Sequence, residues 1–192
     1  IEHNKFEEQN IINNCYKLIE VIFSHDKNIS IFYVSMNNQL NMCTFEDGKI
    51  TNTITLIRSA SSYKNMRIIS INNSLNIFYT QEVNNIKTLS YRILSNKLTL
   101  SNPIVMDSIN VHNNSPFVLC ANNGELAICY IKGGLNKSIG YRVYDFMARS
   151  WSDFNHINNI QYDILDLNFL IRNGTIAYSY SFKRRKKNTI VC

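Results

Sequence analysis

Four short turns recur along this chain at intervals of about fifty residues, each separating two apolar runs. They are Ser24-His25-Asp26-Lys27-Asn28, Asn72-Asn73-Ser74, Asn122-Asn123-Gly124 and Arg172-Asn173-Gly174. Self-similarity at such a period constrains the fold more than any composition can. Each repeat has to be one supersecondary unit that buries its apolar face against the next.

Aligned on those turns, the apolar runs fall into register. Before the turns stand Leu18–Phe23, Met66–Ile71, Phe117–Ala121 and Leu167–Ile171. After them stand Ile29–Val34, Leu75–Tyr79, Leu126–Tyr130 and Ile176–Tyr180. A third run follows at Leu40–Phe45, Leu89–Leu94 and Ile139–Tyr144, and a more polar fourth at 49–57, 97–106 and 150–157. Runs rich in Ile, Val, Tyr and Phe between Asn, Asp, Gly and Ser read as strands. Four antiparallel strands per repeat make a propeller blade. The expected fold is therefore an all-β β-propeller in a single domain, with repeats at about 15–57, 63–106, 113–157 and 162–192.

The ends suggest how such a ring closes. Phe6-Glu7-Glu8-Gln9-Asn10-Ile11-Ile12-Asn13-Asn14 matches Ser152-Asp153-Phe154-Asn155-His156-Ile157-Asn158-Asn159, a fourth strand. Residues 4–12 are accordingly expected to complete the last repeat, whose own third strand is the short run 188–192, giving about four blades with no open sheet edge. The alternative is a fragment of a six- or seven-bladed ring, which would leave an incomplete ring open to self-association.

The five cysteines, Cys15, Cys43, Cys120, Cys129 and Cys192, have no CxxC or Cys/His spacing. They read as small buried hydrophobes, and a Cys120–Cys129 bridge across the hairpin of the third repeat is geometrically conceivable. The histidines His3, His25, His112 and His156 have no ligand spacing, so neither metal nor cofactor is expected. No apolar run approaches a membrane span and no secretory signal is visible. Asn and Ile each supply roughly one residue in seven, as in proteins from AT-rich genomes, so many Asn are read as uninformative surface.

Charge is concentrated in Lys183-Arg184-Arg185-Lys186-Lys187, which carries five of the twenty basic residues; without it a net charge of +6 falls to +1. In the repeat it is the loop between second and third strands of the last blade. It is either an anion-binding loop or a solvated hairpin, and without interleaved aromatics it does not call for nucleic acid.

A second candidate site comes from the repeat itself. Tyr16, Tyr63 and Tyr162 open the first strand of three repeats, and His112 and Asn113 occupy that place in the other. Aromatic faces ringed by amides suit sugar recognition at a channel mouth; the same tyrosines also suit packing between blades. Tyr91-Arg92 and Tyr141-Arg142, on the third strand, are expected to pack on the blade flank.

The chain resembles the β-propeller superfamily over nearly its full length, in particular Asn/Ile-rich lectin- or sialidase-like propellers of clostridia and similar bacteria. The local match is Tyr141-Arg142-Val143-Tyr144 running to Arg149-Ser150-Trp151-Ser152-Asp153. The sialidase Ser-x-Asp-x-Gly-x-Thr-Trp box and the Gly-His and Trp-Asp marks of WD repeats are absent. The resemblance implies a binding scaffold and carries over no catalytic residue. The chain is thus expected not to be an enzyme but a non-catalytic module that recognises a glycan, an envelope polymer or a protein at the propeller face. One alternative is a glycoside hydrolase-like enzyme, for which Asp107, Asp153 and Asp163 are the carboxylates near strand ends. The other is an anion-binding or structural assembly protein working through residues 183–187.

Overall fold

The computed structural model describes residues 11–23, 28–109, 116–122, 124–133, 137–184 and 187–191. They form sixteen strands and, among the described residues, no helix. The chain divides into two compact units, Ile1–Ser62 and Tyr63–Cys192.

The first unit holds one sheet, in the order β1 (Cys15–Phe23), β2 (Ile29–Ser35), β3 (Leu40–Glu46), β4 (Lys49–Ile57). The second holds three. β5 (Lys64–Ile71), β6 (Ser74–Val83), β7 (Ile86–Leu94) and β8 (Ile104–Ser108) form the second sheet. The third is β9 (Phe117–Asn122), β10 (Glu125–Lys132) and β11 (Ser138–Asp145), with β12 (Ser150–Trp151) and β13 (Asn155–Asn159) both pairing β11 as a broken fourth strand. The fourth is β14 (Ile164–Arg172), β15 (Thr175–Arg184) and β16 (Lys187–Val191). All strand pairings are antiparallel, and all but β11–β13 join strands consecutive in sequence, so each recurring turn joins the first two strands of a sheet. Residues 4–12, the expected closing strand, lie outside the described residues except for Ile11 and Ile12, which are not in a strand.

The turns explain part of the Asn content. Asn72-Asn73, Asn84-Asn85 and Asn173-Gly174 take positive φ at both central positions, as does Asp47-Gly48. Two-residue hairpins of this handedness match the twist of the strands they join, and Asn, Asp and Gly reach that region at least cost. These Asn residues hold the repeat together locally and are not mere compositional drift.

Fourth strands begin later than expected in the second sheet and break in the third. Pro103 lacks the N–H a ladder needs. At the matching places Ser101 and Ser152 turn their hydroxyls onto the third strand: Ile93 N–H donates to Ser101 Oγ at 2.9 Å and Val143 N–H to Ser152 Oγ at 3.0 Å. Each serine also donates to the carbonyl after it, Asn102 and Asp153, at 2.9 Å.

Sheets of the second unit pack face to face. Phe78, Leu89 and Ile71 of the second sheet meet Leu126, Ile128 and Tyr130 of the third. The third sheet's other face, Ala127, Cys129 and Ile131, meets Leu167, Phe169, Ile171 and Tyr180 of the fourth. In the first unit Ile31, Tyr33 and Cys43 form a smaller cluster with Ile12, Cys15, Ile29 and Phe45 around it. Cys15, Cys43, Cys120 and Cys129 are all free thiols, and in the β9–β10 register Cys120 faces Ala127 while Cys129 faces Val118, so no bridge joins them.

Gly140, on β11, has no space for a side chain: the Phe154 ring and the Asn155 carbonyl occupy the position of its missing Cβ. Gly140→Ala is expected to cost about 1–3 kcal/mol by overpacking, measured as a lower urea midpoint at unchanged slope. Alkaline pH is a second lever. Burial pushes the Cys129 thiol up from 9.0 to about 12. Burial, with Tyr63 beside it, likewise pushes the Tyr79 hydroxyl up from 10.0 to about 12. The unfolded chain loses these protons first, so stability is full below pH 9 and falls as pH rises from 9 to 12. Cys129→Val should flatten the first part of that fall in denaturant titrations at stepped pH.

Candidate functional site

The strand direction sets two ends in the second unit. One carries the starts of first strands, the loops between second and third strands, and the ends of fourth strands. Cross-sheet bonds show that the three sheets share this polarity: Gly133 N–H donates to the Ser108 carbonyl at 3.0 Å, and Lys137 Nζ meets Asp163 at 2.7 Å. At the opposite end the Glu125 carboxylate accepts from the Asn173 and Gly174 amides at 2.7 and 2.8 Å.

At the first of these ends Asp107, near the end of β8, is the hub of a partly buried charge cluster. Its Oδ1 accepts the Ser108 amide at 3.0 Å. Its Oδ2 accepts the Tyr130 hydroxyl at 3.1 Å, Lys132 Nζ at 3.2 Å and Arg142 Nη2 at 3.4 Å. Arg142 Nε donates to Tyr130 Oη at 2.8 Å and its Nη1 to the Ser152 carbonyl at 2.7 Å. The Asp107 side chain is 11% exposed and that of Arg142 18%, so both charges are largely removed from solvent and depend on one another. Phe154 closes the cluster, lying 5.1 Å from the Tyr130 ring and 5.2 Å beneath Lys132 Nζ. Burial raises the Tyr130 hydroxyl well above its usual range, against the opposing hydrogen bond from Arg142, so it stays a donor.

The second sheet repeats half of this arrangement. Arg92 Nε donates to the Ser101 carbonyl at 2.7 Å, as Arg142 does to Ser152. Tyr79 occupies the place of Tyr130, fully buried, but its hydroxyl has no hydrogen-bond partner among the described residues. The third-strand arginines therefore do more than cover a flank: each clasps its own fourth strand, and Arg142 also reaches a carboxylate of the sheet before.

At the same end of the second sheet a pocket of about 230 Å³ opens among Lys64, Asn65, Thr80, Gln81, Glu82 and Lys87. Asn65 Nδ2 donates to Thr80 Oγ1 at 3.2 Å, and that hydroxyl donates to the Lys64 carbonyl at 3.3 Å. Glu82 pairs with Lys87, two residues along β7 from Leu89, the register partner of Asp107. Hydroxyl, amide, carboxylate and ammonium groups thus line one small hollow.

The residues singled out in the sequence fall in different places. Tyr63 sets its ring edge on Tyr79 at 4.5 Å, and Tyr162 stacks on Phe182 at 4.7 Å, so both rings pack at this end. Tyr16, in the first unit, is 72% exposed. His112 and Asn113 lie outside the described residues. Lys183 and Arg184 end β15 and Lys187 opens β16, with Arg185 and Lys186 outside the described residues. Of the three carboxylates, Asp107 is the clustered one; Asp163 is exposed and paired with Lys137, and Asp153 is exposed. Sequence reading passed over Glu82, Tyr130 and Lys132. A signal for Tyr130 was present, because Tyr33, Tyr79, Tyr130 and Tyr180 recur at one place of the second strand. No helix of the described residues is long and apolar enough to cross a membrane, and they hold no cluster of metal-ligating side chains.

No family model and no curated protein matches the sequence. Solved structures do match in shape. An α-L-arabinofuranosidase from Lactobacillus brevis superposes with a TM-score of 0.50 at 10% identity, over 88% of this chain and 64% of that one. The fold is that of a β-propeller. The catalytic domain of the Coprinopsis cinerea GH62 α-L-arabinofuranosidase gives 0.48 at 13% identity, over 87% and 66% of the two chains. The Bombyx mori GH32 β-fructofuranosidase BmSUC1 gives 0.45 at 10%, over 90% and 44%. The chain thus spans less than two thirds of the arabinofuranosidase and under half of the fructofuranosidase. The expectation that the chain is not an enzyme is corrected by the first of these likenesses, since the arabinofuranosidase that shares its fold is an enzyme. They do not support the narrower likeness to lectin- or sialidase-like propellers of clostridia.

The repeated tyrosine offers an internal control. Tyr130→Phe removes hydrogen bonds to Asp107 and Arg142 and should destabilise by about 1–3 kcal/mol. Tyr79→Phe removes a buried hydroxyl with nothing to bond and should be neutral or slightly stabilising. Paired urea melts of the two variants read the difference directly.

Proposed function

We propose that this chain is the propeller of a glycoside hydrolase-type enzyme, with its reacting groups at the end of the second and third sheets where Asp107 and the polar pocket lie. The observation that carries this reading is a fixed carboxylate at the same end of the second sheet as a hollow lined by hydroxyl, amide and carboxyl groups, on a fold shared with an α-L-arabinofuranosidase. Glycoside hydrolysis needs two carboxyl groups about the scissile bond and stabilisation of an oxocarbenium-like transition state. Asp107, held by Tyr130, Lys132 and Arg142, supplies an immobile carboxylate that needs no reorganisation as positive charge develops on the sugar. Glu82, exposed at the pocket, is the group able to reach the leaving oxygen. Two strand spacings and two residue rises put their Cα atoms roughly 12 Å apart. That span favours the wider carboxyl separation of about 6.5–9.5 Å, which leaves room for a water and inverts the anomeric centre. Asn65 and Thr80 would read sugar hydroxyls.

The test is release of aryl alcohol from a panel of aryl glycosides that includes the α-L-arabinofuranoside. Wild type is expected to turn over at least one of them with inversion, seen by NMR of the first-formed sugar. Glu82→Gln, at an exposed position, should lower kcat/KM at least about 100-fold without moving the melting temperature, and an activated dinitrophenyl leaving group should recover much of the loss. Asp107→Asn should lower it comparably. Turnover unchanged in both variants, or no hydrolysis of the panel by wild type, would remove the reading.

A further inference from the structure

Four turns among the described residues take positive φ at both central positions: Asp47-Gly48, Asn72-Asn73, Asn84-Asn85 and Asn173-Gly174. Their chemistry differs. An Asn side-chain amide is open to attack by the backbone nitrogen of the next residue, and a side chain on that residue hinders the approach. The nitrogens that follow Asn72, Asn73, Asn84 and Asn85 belong to Asn73, Ser74, Asn85 and Ile86, all of which carry one. In Asp47-Gly48 the ionised carboxylate is a poor electrophile. Asn173, exposed at a hairpin tip, is followed by glycine, and a Cβ at Gly174 would meet nothing within 4 Å.

This unhindered turn is also the one held by a carboxylate. The β14–β15 ladder ends with Arg172 opposite Thr175, which leaves the Asn173 and Gly174 amides outside it. Both donate to half-buried Glu125 of the third sheet, Asn173 to Oε2 at 2.7 Å and Gly174 to Oε1 at 2.8 Å. Two further bonds tie the same strand end to that sheet. Asn122 Nδ2 donates to the Ile171 carbonyl at 3.4 Å, and Ile171 N–H donates to Cys120 Sγ at 3.5 Å. Among the described residues, the other three turns have no carboxylate on their amides.

We infer that Asn173 is a site of spontaneous deamidation, and that Glu125 holds it shut while the third and fourth sheets stay packed. The Gly174 nitrogen gives its proton to water and bonds to Asn173 Cγ. The Cγ–Nδ2 bond breaks, and the leaving nitrogen takes a proton from water and departs as ammonia. Water then opens the succinimide ring to aspartate, or to isoaspartate with one more carbon in the main chain. Glu125 opposes the first step in two ways. The amide proton has to leave beside a negative charge, which disfavours the anionic nitrogen. The ring also forms only when the chain at Asn173 rotates out of the left-handed region, and that breaks two charge-assisted hydrogen bonds. Either product brings a new carboxylate to the turn that Glu125 grips, so the original contact does not re-form. The turn thereby records, irreversibly, that this pair of sheets has opened.

The experiment incubates the full chain at neutral pH, folded and in urea, and follows residue 173 by peptide mass mapping with enzymatic isoaspartate detection. Conversion in the folded wild type is expected to be at least about tenfold slower than in urea, because reaction waits on local opening. Glu125→Gln keeps the size but loses one of the two acceptors, and should speed conversion of the folded chain at least about fivefold. Hydrogen exchange supplies a readout in the unmutated protein, and it serves alone should Glu125→Gln melt early. The Asn173 and Gly174 amides should be protected despite their exposed turn, and conversion should rise with sub-denaturing urea in step with their exchange. Equal rates folded and unfolded, unprotected amides, or an unaltered rate in a stably folded Glu125→Gln chain would each overturn the inference.

Discussion

Burial of one tyrosine in the second strand of every sheet is the constraint around which the rest is arranged. Tyr33, Tyr79, Tyr130 and Tyr180 are 7, 0, 0 and 9% exposed. A buried ring contributes much apolar area, but its hydroxyl must find a partner or lose its hydration without return. In the third sheet that requirement draws in Asp107 from the sheet before and Arg142 from the strand beside it, and those charges in turn require Lys132 and the Ser152 carbonyl. A packing need thereby creates a charge cluster at one end of the second unit. The second sheet satisfies only part of the same pattern: Arg92 clasps Ser101, and the Tyr79 hydroxyl is left without a bond.

Repetition and function separate along this line. The apolar positions of second strands, the two-residue turns and the arginine clasp recur because each sheet must present the same two faces to its neighbours. Asp107 does not recur: in the first sheet the residue paired with the equivalent of Leu89 is Ile57, opposite Leu40. Departure from the repeat, where every neighbour agrees, is where chemistry is to be sought. The carboxylate that breaks the pattern is held by Tyr130, Lys132 and Arg142 of the next sheet, at the same end as the polar hollow of the second.

Strand positions were legible because the signal is local. Alternation, β-branched runs and Asn or Gly at positive φ are set by neighbours in the chain, and Lys49–Ile57 was read to the residue. The late start of β8 was harder, since Leu98 and Leu100 carry the strand pattern while Pro103 and the Ser101 hydroxyl interrupt the ladder. Of the candidate site, Asp107 was named only as one carboxylate among three. Its partners Tyr130, Lys132 and Arg142 lie 23, 25 and 35 positions further on, so nothing in the chain couples them. Arg142 was read as flank because its register position was visible and its reach was not.

The sequence by itself determined an all-β repeat, its strand order, its hairpin turns and a basic run at the end of one second strand, because each depends on residues a few positions apart. Tertiary structure alone decided which charges stand together. Side chains from separate sheets meet only when faces pack, and the desolvation that makes their pairing consequential exists only once those faces are closed.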